Sequence, residues 1–148
     1  LFEEADEIWH AGDIGSLAVA DSLSALKPLR AVYGNIDDSG VRVVYPECQI
    51  FYAGKIKVML VHIAGTPGHY SAGIKNRLEA EKPAILVCGH SHIARVEFDR
   101  KMNLLFINPG AAGKHGFHNI ITALRFSITG DRIHDMEVIE LGERGKVF

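Results

Sequence analysis

Cysteine is scarce: Cys48 and Cys88 are the only two in 148 residues. Cys88 falls within a continuous apolar run, where a small buried thiol packs like a hydrophobe, so a redox role is not indicated. Long apolar runs are lacking as well, and nothing approaches the roughly 20 residues that span a bilayer. Excess charge of either sign is missing: the formal net charge is −2, which gives no overall electrostatic drive toward nucleic acid or an anionic membrane. The opening Leu1-Phe2-Glu3-Glu4-Ala5-Asp6-Glu7 is acidic, unlike the basic start of a signal peptide, and a cytoplasmic location is the default expectation. No internal repeat or low-complexity tract is present. The chain also starts at Leu1 rather than Met, and Leu1 to Ala5 reads as the end of a helix, so a leading segment is expected ahead of it.

What is there is an ordinary globular composition, 47% apolar and 23% charged, sized for one domain over residues 1–148 with a real core. Glu7 to Ala11 reads as a short strand running into Gly12-Asp13. Ser16 is a helix N-cap ahead of Leu17, Ala20, Leu23, Ala25 and Leu26, whose spacing predicts an amphipathic helix stopped by Pro28. Arg30 to Tyr33 is a second strand, and this order implies a parallel βαβ unit. Glu47 to Ala53 and Lys55 to Val61 predict a hairpin about Gly54. Ala64 to Ser71 is a Gly- and Pro-rich loop, followed by a helix through Ile74 and Leu78 that ends at Pro83. Ala84 to Cys88 is a buried strand. Hairpins are expected from Ala94 to Phe98 with Leu104 to Ile107, and from Ile120 to Ile128 with Arg132 to Leu141. The tail Gly142 to Phe148 is expected to fray. Parallel strands with helices early and antiparallel hairpins later predict an α/β fold, two sheets packed together with helices outside.

Five polar side chains each follow a predicted strand: Asp13 in His10-Ala11-Gly12-Asp13-Ile14-Gly15, Asn35 in Gly34-Asn35-Ile36-Asp37, His62 after Val61, and His90 and His92 in Gly89-His90-Ser91-His92. Taken singly, each has a plain structural explanation, since a strand-end His is often a hydrogen-bonded loop residue and Gly-Asp a turn. Together they are carboxylate, amide oxygen and imidazole, the donors that suit Mn, Fe, Zn or Ni. In α/β sheets the C-terminal strand ends face the crevice where ligands bind. A carboxylate can bridge two metal ions about 3.5–4 Å apart, and such a pair neutralises a phosphate and activates water for in-line attack. Asp13 is the carboxylate of this set, and Asn35 can lend a neutral oxygen while keeping an N–H for the phosphate; these two are the candidate catalytic residues.

The ordered set Gly-Asp-x-Gly, Gly-Asn-x-Asp, His, Gly-His-x-His and Asn108-Pro109-Gly110 resembles the calcineurin-like metallophosphoesterases, in particular their small bacterial and archaeal branch of YfcE-type phosphodiesterases. The resemblance covers nearly the whole chain. It implies a four-layer α/β/β/α sandwich of two mixed sheets and a dinuclear metal centre whose bound hydroxide attacks a small phosphate ester. Two divalent ions are implied, Mn first, with Fe, Zn or Ni as alternatives. By the resemblance Asp13 bridges them, Asn35, His62 and His90 complete the second metal's set, and His92 binds the first. Neither a nucleic-acid nor a membrane partner is implied, and a homo-oligomer is compatible.

Two departures stand out. The family opens with a strand ending in Asp-x-His, which completes the first metal's ligands, and no Asp-x-His precedes Gly12-Asp13 here. Many relatives also place a His after the Gly-Asn, where it can protonate the leaving oxygen, and this chain has Ile36. A preference for good leaving groups and a modest turnover are therefore expected, with His69 as one alternative proton source. Asp37 either orients a metal-bound water or a metal ligand from behind or is a turn carboxylate. A structural role suits His10, while Lys114 to His118 can reach the cleft or a subunit neighbour. The competing reading is a non-catalytic scaffold of this fold, as in the retromer subunit that acts through protein contacts. A metallo-β-lactamase type of hydrolase is disfavoured because its His-x-His-x-Asp-His cluster is absent.

Overall fold

A computed structural model of the chain describes residues 1–145. In order, the elements are β1 (Ile8–His10), α1 (Leu17–Leu26), β2 (Leu29–Ala31), α2 (Ser39–Val44), β3 (Cys48–Ala53), β4 (Ile56–Val61), β5 (Gly65–Thr66), β6 (His69–Tyr70), α3 (Ala72–Glu81), β7 (Ile85–Val87), β8 (Ala94–Asp99), β9 (Leu104–Pro109), β10 (Ile120–Thr129) and β11 (Arg132–Glu143). The class is α/β, as expected. Its centre is a five-stranded mixed sheet in the order β3-β4-β7-β9-β8. Beside this sheet, β1–β2, β5–β6 and β10–β11 are each hydrogen-bonded as two-stranded pieces. The three later hairpins β3–β4, β8–β9 and β10–β11 form antiparallel as expected, and in addition β4, β7 and β9 run parallel at the centre of the sheet, with β3 and β8 antiparallel on its edges.

Side-chain alternation explains why the central strands read as unbroken apolar runs. Val58 and Leu60 of β4, Ile85 and Val87 of β7, and Ile107 of β9 face one core cluster. Their neighbours Met59, Val61, Leu86, Cys88 and Phe106 face another. Both faces of a central parallel strand are covered, so nearly every position is apolar, Lys57 near the start of β4 and Asn108 near the end of β9 excepted. The first cluster is closed by Trp9 from β1 and by Leu124, Phe126, Ile133 and Met136 from the β10–β11 ribbon. The second is closed by Leu78 and Ile74 of α3. Complete burial of a side chain such as Leu86 is worth about 1.5–3 kcal/mol relative to exposure, so these strands form the most firmly held part of the molecule. Burial also pushes the Cys88 thiol up to about 12, consistent with an inert core residue.

The βαβ unit forms as expected, with Trp9 opposite Arg30 in a parallel pair. Ser16 caps α1 by accepting from the Val19 N–H. The amphipathic face predicted for α1 is corrected: only Ala20 is buried, while Leu17, Val19 and Leu26 are exposed. The small Ala20 lets the helix approach Ala31 and Val41 closely, and these with Ile14 make a third, minor cluster. Leu1 to Ala5 forms a turn, with the Ala5 N–H donating to the Phe2 carbonyl at 3.1 Å, rather than a helix end. The loop expected from Ala64 to Ser71 contains the small hairpin β5–β6. At the other end β11 continues to Glu143, past the point where fraying was expected, and residues 146–148 of that tail lie outside the described residues.

Candidate metal centre

Parallel pairing places the C-terminal ends of β1 and β2 side by side, and does the same for β4 and β7. Asp13 follows β1, Asn35 follows β2, His62 is the residue after β4, and His90 follows β7. Three candidate residues stand in the left-handed backbone region, Asp13 at φ 55°, His90 at 67° and His92 at 62°. Non-glycine residues pay about 1–3 kcal/mol for such conformations, which persist only where the surroundings enforce them and which gather at functional sites.

The side chains converge. One ligand atom each from Asp13, His62 and His90 lies within 4.8 Å of the others. Asn35 Oδ1 is 2.9 Å from His62 Nε2 and 3.1 Å from His90 Nδ1, and Asp13 Oδ2 is 3.3 Å from His62 Nε2. His62 Nδ1 lies 2.7 Å from the Ala11 carbonyl oxygen. A carbonyl only accepts, so Nδ1 carries the proton, and in the neutral ring Nε2 presents a lone pair. That lone pair then faces a carboxylate oxygen and an amide oxygen with no proton between them. A divalent cation resolves this arrangement, and the Nδ1–H to carbonyl bond is the outer contact that metal-ligating histidines ordinarily make. The donor set therefore fits a metal ion of the N/O-preferring kind.

Backbone contacts hold the donors in place. Buried Asp37 accepts from the N–H groups of Ile14, Gly15 and Gly34 at 3.1, 2.9 and 2.8 Å. Burial alone raises its pKa, but the three N–H donors outweigh it and hold the carboxyl below its usual range. Asp37 is thus the tie between the Asp13 and Asn35 loops. Asp13 Oδ1 accepts from the Ile36 N–H at 3.1 Å. A Cβ at Gly34 would lie 2.0 Å from Asp13 Oδ1 and 2.3 Å from its N, so only glycine lets the two loops approach. Asn108 does the same for the histidine turn. Its Nδ2 donates to the Gly89 carbonyl at 2.9 Å and to Ser91 Oγ at 3.0 Å, and its Oδ1 accepts from the Gly110 N–H at 3.0 Å.

The family model for the calcineurin-like phosphoesterase superfamily domain matches residues 1–131. The chain belongs to this superfamily. Among solved structures, a protein described as a novel archaeal phosphodiesterase is similar at 20% identity with a TM-score of 0.69, covering 94% of this chain and 85% of that one. A predicted phosphoesterase from Streptococcus pneumoniae is similar at 22% identity and a TM-score of 0.65, over 93% of this chain and 74% of that one. Wild-type Vps29 from Entamoeba histolytica, solved in complex with Zn²⁺, is similar at 15% identity and a TM-score of 0.70, over 93% of this chain and 82% of that one. No curated protein sequence matches the chain.

Within this phosphoesterase fold the fifth candidate, His92, stands apart. Its ring contact is with His118, Nδ1 to Nδ1 at 3.3 Å, rather than with the four converging donors. Burial lowers its pKa, with the nearby His118 adding to the effect and Asp13 opposing it. Sequence reasoning allowed the Lys114–His118 stretch to reach the cleft but did not single out His118, since a His in a glycine-rich loop carries no periodic signal. It also overlooked two cations beside the site. A cavity of about 370 Å³ is lined by Tyr33, Asn35, Arg42, His62 and Arg77 among others. Arg42 donates to the carbonyls of Asp37 at 2.7 Å and Asn35 at 3.2 Å, and its guanidinium sits 4.7 Å over the Tyr33 ring. His69, the alternative proton source, is exposed in β6. Among the described residues no helix is long and apolar enough to cross a membrane.

Proposed function

We propose that this chain is a metal-dependent phosphoesterase acting on small phosphodiesters. Asp13, Asn35, His62 and His90 hold one divalent cation, and Asp13 and His92 contribute to a second. Mn is the first candidate, with Fe, Zn or Ni able to use the same N/O donors. The observation that carries the reading is the convergence of the Asp13 and Asn35 oxygens on the His62 Nε2 lone pair. Divalent ions in such a site supply charge neutralisation for a phosphate and acidify bound water. The chain's own residues do the rest. Asn35 turns its oxygen toward the two histidines, which leaves its amide N–H for a phosphate oxygen. Arg42 and Arg77 line the adjoining cavity and favour an anionic substrate there. Ile36 holds Asp13 through its backbone but has no proton to give the leaving oxygen, so substrates with stable leaving groups suit the site.

Metal-dependent hydrolysis of an activated aryl phosphodiester such as bis(4-nitrophenyl) phosphate tests this reading. The chain, its intact mass confirmed, is assayed with added Mn²⁺ and then with a chelator. Turnover that needs metal and disappears in Asp13→Asn and His90→Ala is the expected result. A folded chain without turnover favours the scaffold reading. That alternative draws on the similarity to Vps29 and on exposed Ile36, Ile63, Ile93 and Phe117, each adjacent in sequence to a site residue or to His118.

A further inference from the structure

Phe117 and His118 are neighbours in one loop with opposite fates. Phe117 is 99% exposed and His118 only 8%. The imidazole is buried in preference to the phenyl ring, and it is held there by polar contacts. His118 Nε2 lies 2.8 Å from the Gly113 carbonyl oxygen. The carbonyl accepts, so Nε2 carries the proton and the neutral ring offers its Nδ1 lone pair on the other side. That nitrogen faces His92 Nδ1 at 3.3 Å, with the rings at 82° and 5.1 Å between centroids. Two nitrogens each about 2.0–2.1 Å from one tetrahedral ion stand roughly 3.3 Å apart. The N–H to backbone carbonyl bond on the far side of His118 is the support a metal-ligating imidazole needs to fix its tautomer and direction.

Gly116 keeps the adjoining space open. Its φ is +132°, and a Cβ placed on it would lie 2.3 Å from His92 Nδ1 and 3.1 Å from His118 Nδ1. The cleared position is therefore one that both nitrogens border.

We infer that His118 is a metal ligand, binding with His92 a transition-metal cation at the edge of the centre built by Asp13, Asn35, His62 and His90. The inference rests on the proposed metal-dependent reading and adds to it a ligand from the loop after β9. Two imidazoles favour a borderline ion such as Zn²⁺ or Co²⁺ over Mg²⁺ or Ca²⁺.

The test is Co²⁺ and Zn²⁺ binding to the full chain, by visible absorption and by titration calorimetry, with no substrate present. The wild-type chain is expected to take two equivalents. His118→Ala is expected to weaken one of them by more than the roughly 10–100-fold that loss of an outer hydrogen-bond partner costs, and to leave the other unchanged. His62→Ala is expected to weaken the other one instead. Gly116→Val keeps both imidazoles but fills the space between them, and it is expected to expel the same equivalent as His118→Ala, which covers the case in which His118→Ala fails to fold. Addition of Zn²⁺ is expected to shift the His118 ring nitrogen resonances. Two equivalents retained at unchanged affinity in a folded His118→Ala overturn the inference while leaving the metal-dependent reading intact. A single equivalent that is lost with His62→Ala and kept with His118→Ala does the same. A wild-type chain that binds no metal overturns both.

Discussion

Ile36 has a divided role at the residue scale. Its backbone N–H fixes Asp13 Oδ1 at 3.1 Å, while its side chain is 67% exposed and has no hydrogen-bonding group. A histidine there can keep the backbone contact and add a proton donor beside Asn35. Ile36→His is therefore expected to raise kcat on alkyl phosphodiesters, whose leaving oxygens need a proton, by up to about a hundredfold, within the range of general acid catalysis. The same change should barely alter the rate on aryl esters. The ratio of the two rates is the measurement, and an unchanged ratio removes the leaving-group argument. The convergence of Asp13, Asn35, His62 and His90 was legible because each is a donor at a strand end beside glycine or a buried run, whereas His92, read from the same pattern, turns to His118 instead. Their conformations were not legible. Nothing in the propensities of Asp or His announces φ values of 55°, 67° and 62°; those are imposed by contacts such as the Asp37 tie, which involve residues over twenty positions apart.

At the scale of elements, legibility followed length and periodicity. The runs in β4 and β7 are buried on both faces and read as strands at once. The six-residue α2 escaped notice because Gly40 and three valines oppose helix propensity; Asp38 nevertheless caps it by accepting from the Val41 N–H. The two-residue strands β5 and β6 are too short for any period to show. The pairing of β1 with β2 carries a pH-dependent tie. Glu7 accepts from Arg30 Nε at 2.8 Å and from Trp9 Nε1 at 2.9 Å. The Arg30 hydrogen bond is the main cause that holds the Glu7 carboxyl below its ordinary value of 4.5, partial burial opposes it, and Trp9 assists. A carboxylate with a lower pKa folded than unfolded adds stability above the unfolded value and loses it as pH falls through the folded one. With both side chains 35% exposed, solvent screening limits the pair to about 1 kcal/mol or less. Glu7→Gln should lower urea stability by up to that amount at neutral pH. The gap between wild type and variant should close as pH drops below 4.5 and through the lower folded value. A gap that stays constant across that range assigns the effect to packing instead.

On the scale of the whole molecule, the candidate site joins pieces that pair in no common sheet among the described residues, although the Tyr33 N–H donates to the Pro46 carbonyl between them at 3.0 Å. Asp13 and Asn35 come from the β1–β2 pair, His62 and His90 from the five-stranded sheet. What bridges them in this structure is the Val32, Trp9 and Leu60 region of the core and a few side-chain contacts, chiefly His62 to Ala11 and to Asn35. The strand-end pattern showed that these residues belong to one crevice. It placed the Lys114–His118 loop within reach of the crevice but could not show the pairing of His118 with His92, which depends on how that loop closes. A cation bound by donors from both pieces is bound only by the assembled fold, so its binding free energy adds to stability. At a hundred times its dissociation constant a ligand contributes about 2.7 kcal/mol, and 1 kcal/mol moves the midpoint of a chain of this size by roughly 2–4 °C. Saturating Mn²⁺ or Zn²⁺ should therefore raise the thermal midpoint by about 5–10 °C, and a chelator should return it to its starting value. Asp13→Asn and His62→Ala should each remove most of that rise, because either change leaves the two pieces without a shared ion. A rise that survives both substitutions would place the cation elsewhere in the molecule. A wild-type chain whose midpoint ignores saturating metal would separate the histidine cluster from any metal chemistry and favour protein contacts as its use.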